Sequence, residues 1–173
     1  MRSEADETRQ PKYAHIERER RWLVDTARRP DVSGRPYILV KDRYVERTRI
    51  RLRRMTDSAT GECSLKLTKK YDAEDPLARP IVTAYLSTEE YEVLALLPAK
   101  ALAKRRYKIV EDAGEFSLDQ FLGALEGLEL AEIEWADDVG LRVLAAPAWT
   151  TREVSADPRY QGGTLAALGK PRD

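Results

Sequence analysis

The sequence predicts a strand-dominated α+β fold in a single domain. Several short runs alternate charged and apolar residues with a period of two, which is typical of strands. A capping box followed by apolar residues at helical spacing predicts a helix between two of these runs. The length of 173 residues suits one domain with a substantial core. We expect this domain to span residues 13–168, with a disordered segment at 1–12 and a frayed end at 169–173.

The composition excludes several classes of function. The 30 Lys and Arg residues balance the 30 Asp and Glu residues, so the chain lacks the overall field that attracts nucleic acid or anionic membranes. The single Cys63 excludes an intramolecular disulfide, and the single His15 excludes the usual histidine-rich metal sites. No stretch is long enough to span a bilayer, and the first twelve residues lack the apolar run of a secretory signal. We therefore expect a cytoplasmic protein without a nucleic-acid or membrane partner.

Four predicted strands occupy the amino-terminal half of the chain. They are, in order, "AHIERERRWLVD", "YILVKDRYVE", "RTRIRLRRM" and "CSLKLTKKY". The stretches "PDVSGRP" and "DSATGE" between them are rich in turn-forming residues. Three of these strands have a charged or polar face. In chain order, these faces carry Glu17, Glu19 and Arg21; Arg47, Arg49, Arg51 and Arg53; and Ser64, Lys66, Thr68 and Lys70.

The second half combines strands with short helices. A fifth strand, "IVTAYLS", precedes a helix that is predicted to begin with a capping box of Ser87 and Glu90 and to end before Pro98. Three further strands are "LAKRRYKIVE", "EFSLDQF" and "LELAEIEWA", although residues 121–135 alone also fit a helix. The segments "DDVGLRVLA" and "YQGGTLAAL" predict short helices. The charged faces in this half carry Lys104, Arg106 and Lys108, and then Glu132 and Glu134.

The charged strand faces allow two architectures. In the first, they are solvated and the apolar faces build the core of a one-sided sheet. In the second, the strands close into a barrel with its apolar faces packed outward on helices and its charged faces turned inward. Because burying unpaired ions is very costly, such an interior must be wet or filled by a ligand that pairs with them.

The charge pattern also indicates which ligand would fill a barrel of the second kind. Rows of Arg and Lys match a polyanion, and guanidinium groups bind phosphate oxygens with two parallel hydrogen bonds. Paired carboxylates suit a hard divalent cation such as Mg²⁺, which takes oxygen ligands and often bridges phosphates. Together they describe one site for a metal and a linear polyphosphate.

In their order along the chain, these stretches resemble motifs of the CYTH superfamily, also called triphosphate tunnel metalloenzymes. "IERERRWLV" resembles the Glu-x-Glu-x-Lys signature, with Glu17 and Glu19 in place and Arg21 at the position of the lysine. "RIRLRR", "KLTKK" and "KRRY" resemble the basic strands of the family. "FSLDQF", "LAEIEW" and "REVSADPRY" resemble its later blocks, so that the resemblance spans residues 13–168.

The resemblance implies an eight-stranded antiparallel β-barrel tunnel, the triphosphate tunnel fold, with helices packed outside. It implies a divalent-metal-dependent hydrolase of triphosphate compounds, with Mg²⁺ or Mn²⁺ as cofactor and inorganic tripolyphosphate as the first expected substrate. Other family activities are the hydrolysis of thiamine triphosphate and the cyclisation of ATP by class IV adenylate cyclases. The sequence leaves open whether the protein forms a homodimer.

The resemblance also assigns roles to individual residues. Tyr44, in "DRY", and Arg21 take the catalytic positions. The implied substrate-binding residues are Arg49, Arg51, Arg53, Lys66, Lys70, Lys104 and Arg106. The implied metal ligands are Glu17, Glu19, Glu132, Glu134 and Asp119.

Two departures from the family pattern affect these expectations. Arg21 cannot accept a proton at ordinary pH, because its guanidinium stays charged, so it cannot take over a general-base role from the signature lysine. Thr83 and Tyr85 stand in the middle strand where many members carry another Glu-x-Glu pair. We therefore expect altered substrate choice, slow turnover, or a polyphosphate- or nucleotide-binding protein without turnover.

Overall fold

The structure, a computed structural model, describes residues 11–172. The predicted disordered segment 1–12 lies almost wholly outside the described residues. The three α-helices are α1 (Thr88–Leu94), α2 (Asp138–Val143) and α3 (Gly162–Leu168). The strands are β1 (His15–Val24), β2 (Ile38–Val45), β3 (Ile50–Asp57), β4 (Cys63–Lys70), β5 (Ala78–Tyr85), β6 (Ala99–Glu111), β7 (Gly114–Phe121), β8 (Glu129–Glu134) and β9 (Thr150–Glu153).

Eight antiparallel strands close into a barrel. Their order is β5-β4-β3-β2-β6-β7-β8-β1, and a further pairing of β1 with β5 closes the ring. The long β1 makes this closure possible, because residues 15–18 pair with β5 and residues 19–23 pair with β8. Strand β9 pairs with the end of β1 as an addition to the barrel. The predicted eight-stranded antiparallel barrel is therefore confirmed.

The apolar strand faces point outward, as in the second of the two predicted architectures. Trp22, Phe116 and Leu118 alternate with inward-facing charged residues, and they pack outside the barrel against Leu141 of α2 and Trp149. A second outer cluster joins the β2–β4 region to α1 through Tyr91. Full burial of each large side chain stabilises the fold by about 1.5–3 kcal/mol. The outer surface of the barrel is therefore a conventional core, which leaves its interior for the charged side chains.

One end of the barrel interior is apolar. Leu102, Phe121 and Leu130 point inward there and pack with Tyr160 and with Leu165 of α3. Helix α3 thus lies over this end, where it seals the interior through contacts between apolar side chains. None of the helices in the part of the chain that the structure describes is long and apolar enough to cross a membrane.

The predicted helices and most strands are confirmed, including the capping box at α1. The side chain of Ser87 accepts a hydrogen bond from the amide of Glu90, whose carboxylate accepts one from the amide of Ser87. The ambiguous run 121–135 is the end of β7, a short 3-10 turn at Gly123–Leu125, and β8.

Three details of the prediction were wrong. Arg47 lies in a turn with a φ of 60°, and β3 begins only at Ile50, so Arg47 and Arg49 precede the strand that was predicted to contain them. Strand β5 begins at Ala78, before the predicted "IVTAYLS". Strand β9 was not predicted at all, because its four residues are too short to show a period.

Candidate active site

A cavity of about 410 Å³ lies inside the barrel. It is lined by inward-facing side chains of the strands and by residues 160–165, which include the start of α3. Of the site residues predicted from the resemblance, all line this cavity except Lys66 and Asp119. Those that line it are Glu17, Glu19, Arg21, Tyr44, Arg49, Arg51, Arg53, Lys70, Lys104, Arg106, Glu132 and Glu134.

A continuous chain of ion pairs runs around the cavity wall. Glu19, Glu132 and Asp119 each lie between two or more cationic side chains, so that most of their charge is neutralised within the protein. Lys70 contacts Glu17 and lies 3.6 Å from Glu19, which in turn contacts Arg21 at 3.2 Å. The chain continues from Arg21 to Glu132 at 2.8 Å, from Glu132 to Arg106 at 2.5 Å, and from Arg106 to Asp119 at 2.6 Å.

Arg21 is buried, and its guanidinium lies close to three acceptors. Besides the contacts to Glu19 and Glu132, it donates a hydrogen bond of 3.0 Å to the carbonyl oxygen of Tyr160. Burial lowers the pKa of Arg21, but Glu132 and Glu19 outweigh this effect and raise it above its usual range. Arg21 is therefore a fixed cation that cannot accept a proton from water.

Tyr44 lies inside the cavity next to α3. Burial, and then the charge of Asp42, raises the pKa of Tyr44 to about 12. Its phenol is consequently protonated at neutral pH. It can donate a hydrogen bond to an anion or orient a water molecule, but it is not a ready proton acceptor.

Two buried aspartates support the basic side chains. Asp42, only 1% exposed, accepts two hydrogen bonds of 2.7 Å from Arg53 and lies 4.0 Å from Arg51. Although burial raises the pKa of Asp42, its hydrogen bonds with Arg53 lower it overall. Asp119, predicted as a metal ligand, is fully buried and contacts Lys104 and Arg106. Asp42 was missed, although it shares a strand face with Tyr44 in "KDRY".

Arg79 is a second residue that sequence reasoning missed. It lines the cavity from β5, directly opposite Glu17 on β1, because β5 begins three residues earlier than predicted. Within residues 11–172 it has no ion-pair partner. Of the two departures in this strand, Thr83 shares a hydrogen bond of 3.1 Å with the hydroxyl of Thr68. The ring centroid of Tyr85 lies 5.1 Å from the ammonium group of Lys66, which is not among the residues that line the cavity.

Glu19 and Glu134 lie directly opposite each other on paired strands, with Glu17 two residues along the same face. Like charges in this position are destabilising. Burial, and then Glu17 and Glu19, raises the pKa of Glu134, which has no ion-pair partner among the described residues. In the conformation of residues 11–172, no group of three or more acidic, His or Cys side chains is close enough to hold a metal ion. A cation here would require Glu17 and Glu19 to turn away from Lys70 and Arg21.

Comparisons with known proteins point to one activity. No family model matches the chain. An inorganic triphosphatase of Acetivibrio thermocellus is 41% identical over 44% of this chain and 49% of its own length. An inorganic triphosphatase of Nitrosomonas europaea is 34% identical over 47% of this chain and 61% of its own length. The matched stretches thus span about half to three fifths of these curated relatives.

The barrel has a solved counterpart. The crystal structure of the inorganic triphosphatase NE1496 superposes with a TM-score of 0.56 at 26% identity, over 87% of this chain and 93% of that one. A second crystal structure, described as that of the hypothetical protein NE1496, gives a TM-score of 0.57, also at 26% identity, over 87% and 97%. These matches agree with the barrel fold and set the activity that the cavity should be tested for.

Proposed function

We propose that the protein is a divalent-metal-dependent hydrolase of triphosphate compounds, with inorganic tripolyphosphate as its first substrate. The main observation behind this proposal is the cavity itself. Five strands bring Arg and Lys side chains into one space, beside Glu19 and Glu134, which lie directly opposite each other on paired strands. The named activity of the similar proteins supports the same reaction. The resemblance to triphosphate tunnel metalloenzymes agrees with it.

The basic side chains would bind the phosphate groups. An arginine that donates two N–H groups to one carboxylate still has three donors for a phosphate, and this is the situation of Arg53. Arg51 and Arg79 have the least contact with carboxylates in the cavity, so we expect a polyanion to pair with them first. Charge-assisted hydrogen bonds of this kind are short and roughly twice as strong as neutral ones.

Three glutamates would form the proposed metal site. Glu17, Glu19 and Glu134 offer carboxylate oxygens, the ligands that Mg²⁺ and Mn²⁺ prefer. Their like charges repel one another, and a divalent cation would remove this repulsion. When bound, the cation would neutralise the phosphate charge and polarise a phosphoryl oxygen. Glu132 is less suited to this role, since it already contacts Arg21 and Arg106.

The protein residues supply position and charge rather than a proton acceptor. A water molecule attacks the terminal phosphorus while the bond from phosphorus to the bridging oxygen breaks. Pyrophosphate leaves, and the proton of the water passes to the phosphate oxygens. Phosphoryl transfer of this type needs little covalent help from protein groups. Arg53 and Arg106 would stabilise the charge on the phosphoryl oxygens as fixed cations. Lys104, whose pKa is lowered by burial, would assist them, and the Tyr44 hydroxyl would orient the water.

The test combines ligand binding and turnover in the same tubes. The melting temperature is measured with tripolyphosphate, ATP or thiamine triphosphate, each with and without Mg²⁺, and phosphate release is assayed in parallel. A ligand that binds only the folded protein raises the melting temperature by mass action. We expect the largest shift, with Mg²⁺-dependent phosphate release, for tripolyphosphate. Glu17→Ala should lose the release, and equal activity in this variant would refute the metal role.

A second candidate is a polyphosphate- or nucleotide-binding protein without turnover. It is favoured by Arg21 at the signature position and by Thr83 and Tyr85 in the middle strand. A shift in melting temperature without phosphate release would select it. Conversion of ATP to cyclic AMP, detected by nucleotide chromatography, would instead indicate a cyclase. Phosphate release from thiamine triphosphate alone would indicate a thiamine triphosphatase.

Two further parts of the proposal concern the setting of the protein. We propose a cytoplasmic location, supported by the single Cys63, which suits a reducing compartment. We also propose a homodimer, which size-exclusion chromatography would test directly.

A further inference from the structure

The segment formed by residues 154–165, which we name the cap segment, lies over one end of the cavity. Its second half lines the cavity directly, and Tyr160 and Leu165 are almost fully buried against inward-facing apolar residues of the barrel. Besides these apolar contacts, the hydrogen bonds of one residue, Arg21, hold the segment in place.

Arg21 contacts the cap segment through both its main chain and its side chain. Its carbonyl oxygen accepts a hydrogen bond of 2.8 Å from the amide of Val154, and its amide donates one of 2.8 Å to the hydroxyl of Ser155. Its guanidinium reaches along the barrel wall and donates to the carbonyl oxygen of Tyr160 at 3.0 Å. Both the start and the middle of the cap segment are therefore attached to a single residue of β1.

The shape of the guanidinium matters for this attachment. Its planar fork contacts Glu132 through Nε, Glu19 through one terminal nitrogen and Tyr160 through the other. A lysine at this position would keep the positive charge between the two glutamates. Its single nitrogen, however, lacks the fixed fork that places separate nitrogens near three acceptors.

The cap segment also fits closely against the barrel. A Cβ atom added to Gly162 would overlap the hydroxyl oxygen of Tyr44 and lie 2.9 Å from its Cζ, so only glycine allows this approach. The close fit means that a displaced cap segment would change the shape of the cavity beside Tyr44. It would also uncover the apolar cluster around Leu165.

We propose that Arg21 is a positioning residue that fastens the cap segment over the cavity and so determines how tightly a triphosphate is held. In this role it acts through the cap segment and does not touch the phosphate groups. The fastening itself does not depend on the proposed function, whereas its effect on triphosphate binding rests on it.

The first experiment measures hydrogen–deuterium exchange in the full-length protein without substrate. Arg21→Lys should raise the exchange rate of the amides in residues 160–165 of the cap segment by about tenfold, since it removes one charge-assisted hydrogen bond from the segment. Unchanged exchange in this segment would overturn the proposal. The measurement gives the same answer whether or not the protein hydrolyses tripolyphosphate.

Arg20 provides a matched control on the same strand. Its guanidinium fastens the end of α2 from outside the barrel, with hydrogen bonds to the carbonyl oxygens of Leu141 at 3.1 Å and Leu144 at 2.7 Å. Arg20→Lys should raise exchange in residues 138–144 and leave exchange in residues 160–165 of the cap segment unchanged. An equal rise in the cap segment for both variants would show a general loss of stability, which would contradict a specific role of Arg21.

The second experiment separates positioning from chemistry by steady-state kinetics with tripolyphosphate. Arg21→Lys should raise KM by about three- to tenfold while kcat stays within about twofold, because the substrate and the transition state lose the same binding energy. A fall in kcat of about a hundredfold at unchanged KM would overturn the proposal in favour of direct action on the reacting atoms. Gly162→Ala, which displaces the cap segment without altering Arg21, should reproduce both the faster exchange and the higher KM. Native exchange and KM in Gly162→Ala would contradict the link between the cap segment and binding.

Discussion

Strands β6 and β7 carry two ion-pair groups that use similar residues in very different surroundings. At one end of the strands, Lys108 pairs with Glu115, and the two side chains are 64% and 57% exposed. In the barrel interior, Asp119 pairs with Lys104 and Arg106, and the three side chains are 0%, 6% and 18% exposed. At the exposed end water can replace either partner. In the interior each charge depends on the others, because little of its surface is exposed to solvent.

This difference shows that the buried charges of the interior need a functional explanation. Burying charges that are merely paired is often no better for stability than filling the same space with apolar side chains. The same strands show the apolar alternative only a few residues away, where Leu102 and Phe121 pack beneath the cap segment. The charged part of the interior therefore gives the barrel no clear gain in stability over apolar side chains. Ligand binding is the role that best explains its charges.

The largest expected effect is the loss of stability on removing a buried partner. Asp119→Ala leaves the positive charges of Lys104 and Arg106 under-compensated in the interior. We expect the free energy of unfolding to fall by about 3–5 kcal/mol. Urea denaturation measures this change directly.

The exposed pair on the same strands provides the control for that measurement. Glu115→Ala removes the partner of Lys108, which water then solvates, so we expect a change within about 0.5 kcal/mol. Similar losses in Asp119→Ala and Glu115→Ala would show that burial does not distinguish the two groups. The buried charges would then be no more costly than exposed ones, and they would not require a ligand to explain them.

The next largest effect concerns Asp42, the buried partner of Arg53. Asp42→Asn keeps the size of the side chain but removes its charge, and we expect a loss of about 1.5–3 kcal/mol at neutral pH. Because the pKa of Asp42 is lowered by folding, the wild-type advantage is present above its ordinary value of 3.8 and disappears as the pH falls through the lowered value. Denaturation of both proteins from pH 7 to pH 3 tests this dependence. A gap that stays constant with pH would contradict the pairing.

The outward and inward strand faces could be predicted because alternation directly encodes them. Glu17 and Glu19 on β1 and Glu132 and Glu134 on β8 reached the interior as the period of two requires. What alternation does not encode is where a strand begins. Arg47 was placed on the arginine face of β3, but it lies in the preceding turn, and Arg79 was omitted because Pro80 was assigned to a turn.

The partners of the charged residues could not be predicted at all. Pairing of Arg21 with Tyr160 joins positions that are 139 residues apart, and it depends on the path of the cap segment over the barrel. Pairing of Arg53 with Asp42 requires the register of β2 and β3, which a sequence pattern leaves free. Neither the path of the cap segment nor the register of β2 and β3 has a local signal in the sequence.

Arg79 tests whether an interior cation without a carboxylate partner binds substrate. Arg79→Gln should weaken tripolyphosphate binding by about tenfold, which corresponds to about 1.4 kcal/mol. Arg105→Gln is the matched change on an exposed arginine outside the barrel, and it should leave binding within about twofold. Isothermal titration calorimetry with each variant measures the dissociation constants. Equal binding by Arg79→Gln and the wild type would remove Arg79 from the site.

The smallest expected effect, and the one that bears most directly on the metal, concerns Glu134. Its pKa is raised above the ordinary value of 4.5, so its charge opposes folding at neutral pH. Glu134→Gln should therefore raise the melting temperature by about 1–3 °C at neutral pH, which is less than about 1 kcal/mol for a chain of this size. This advantage should vanish below pH 4.5, where the wild-type carboxyl is protonated in both states. Addition of Mg²⁺ should stabilise the wild type more than the variant, because the cation would then offset the repulsion that the substitution removes. Equal Mg²⁺-induced shifts in both proteins would exclude Glu134 as a ligand and would move the metal, if it binds, to Glu17 and Glu19 without it.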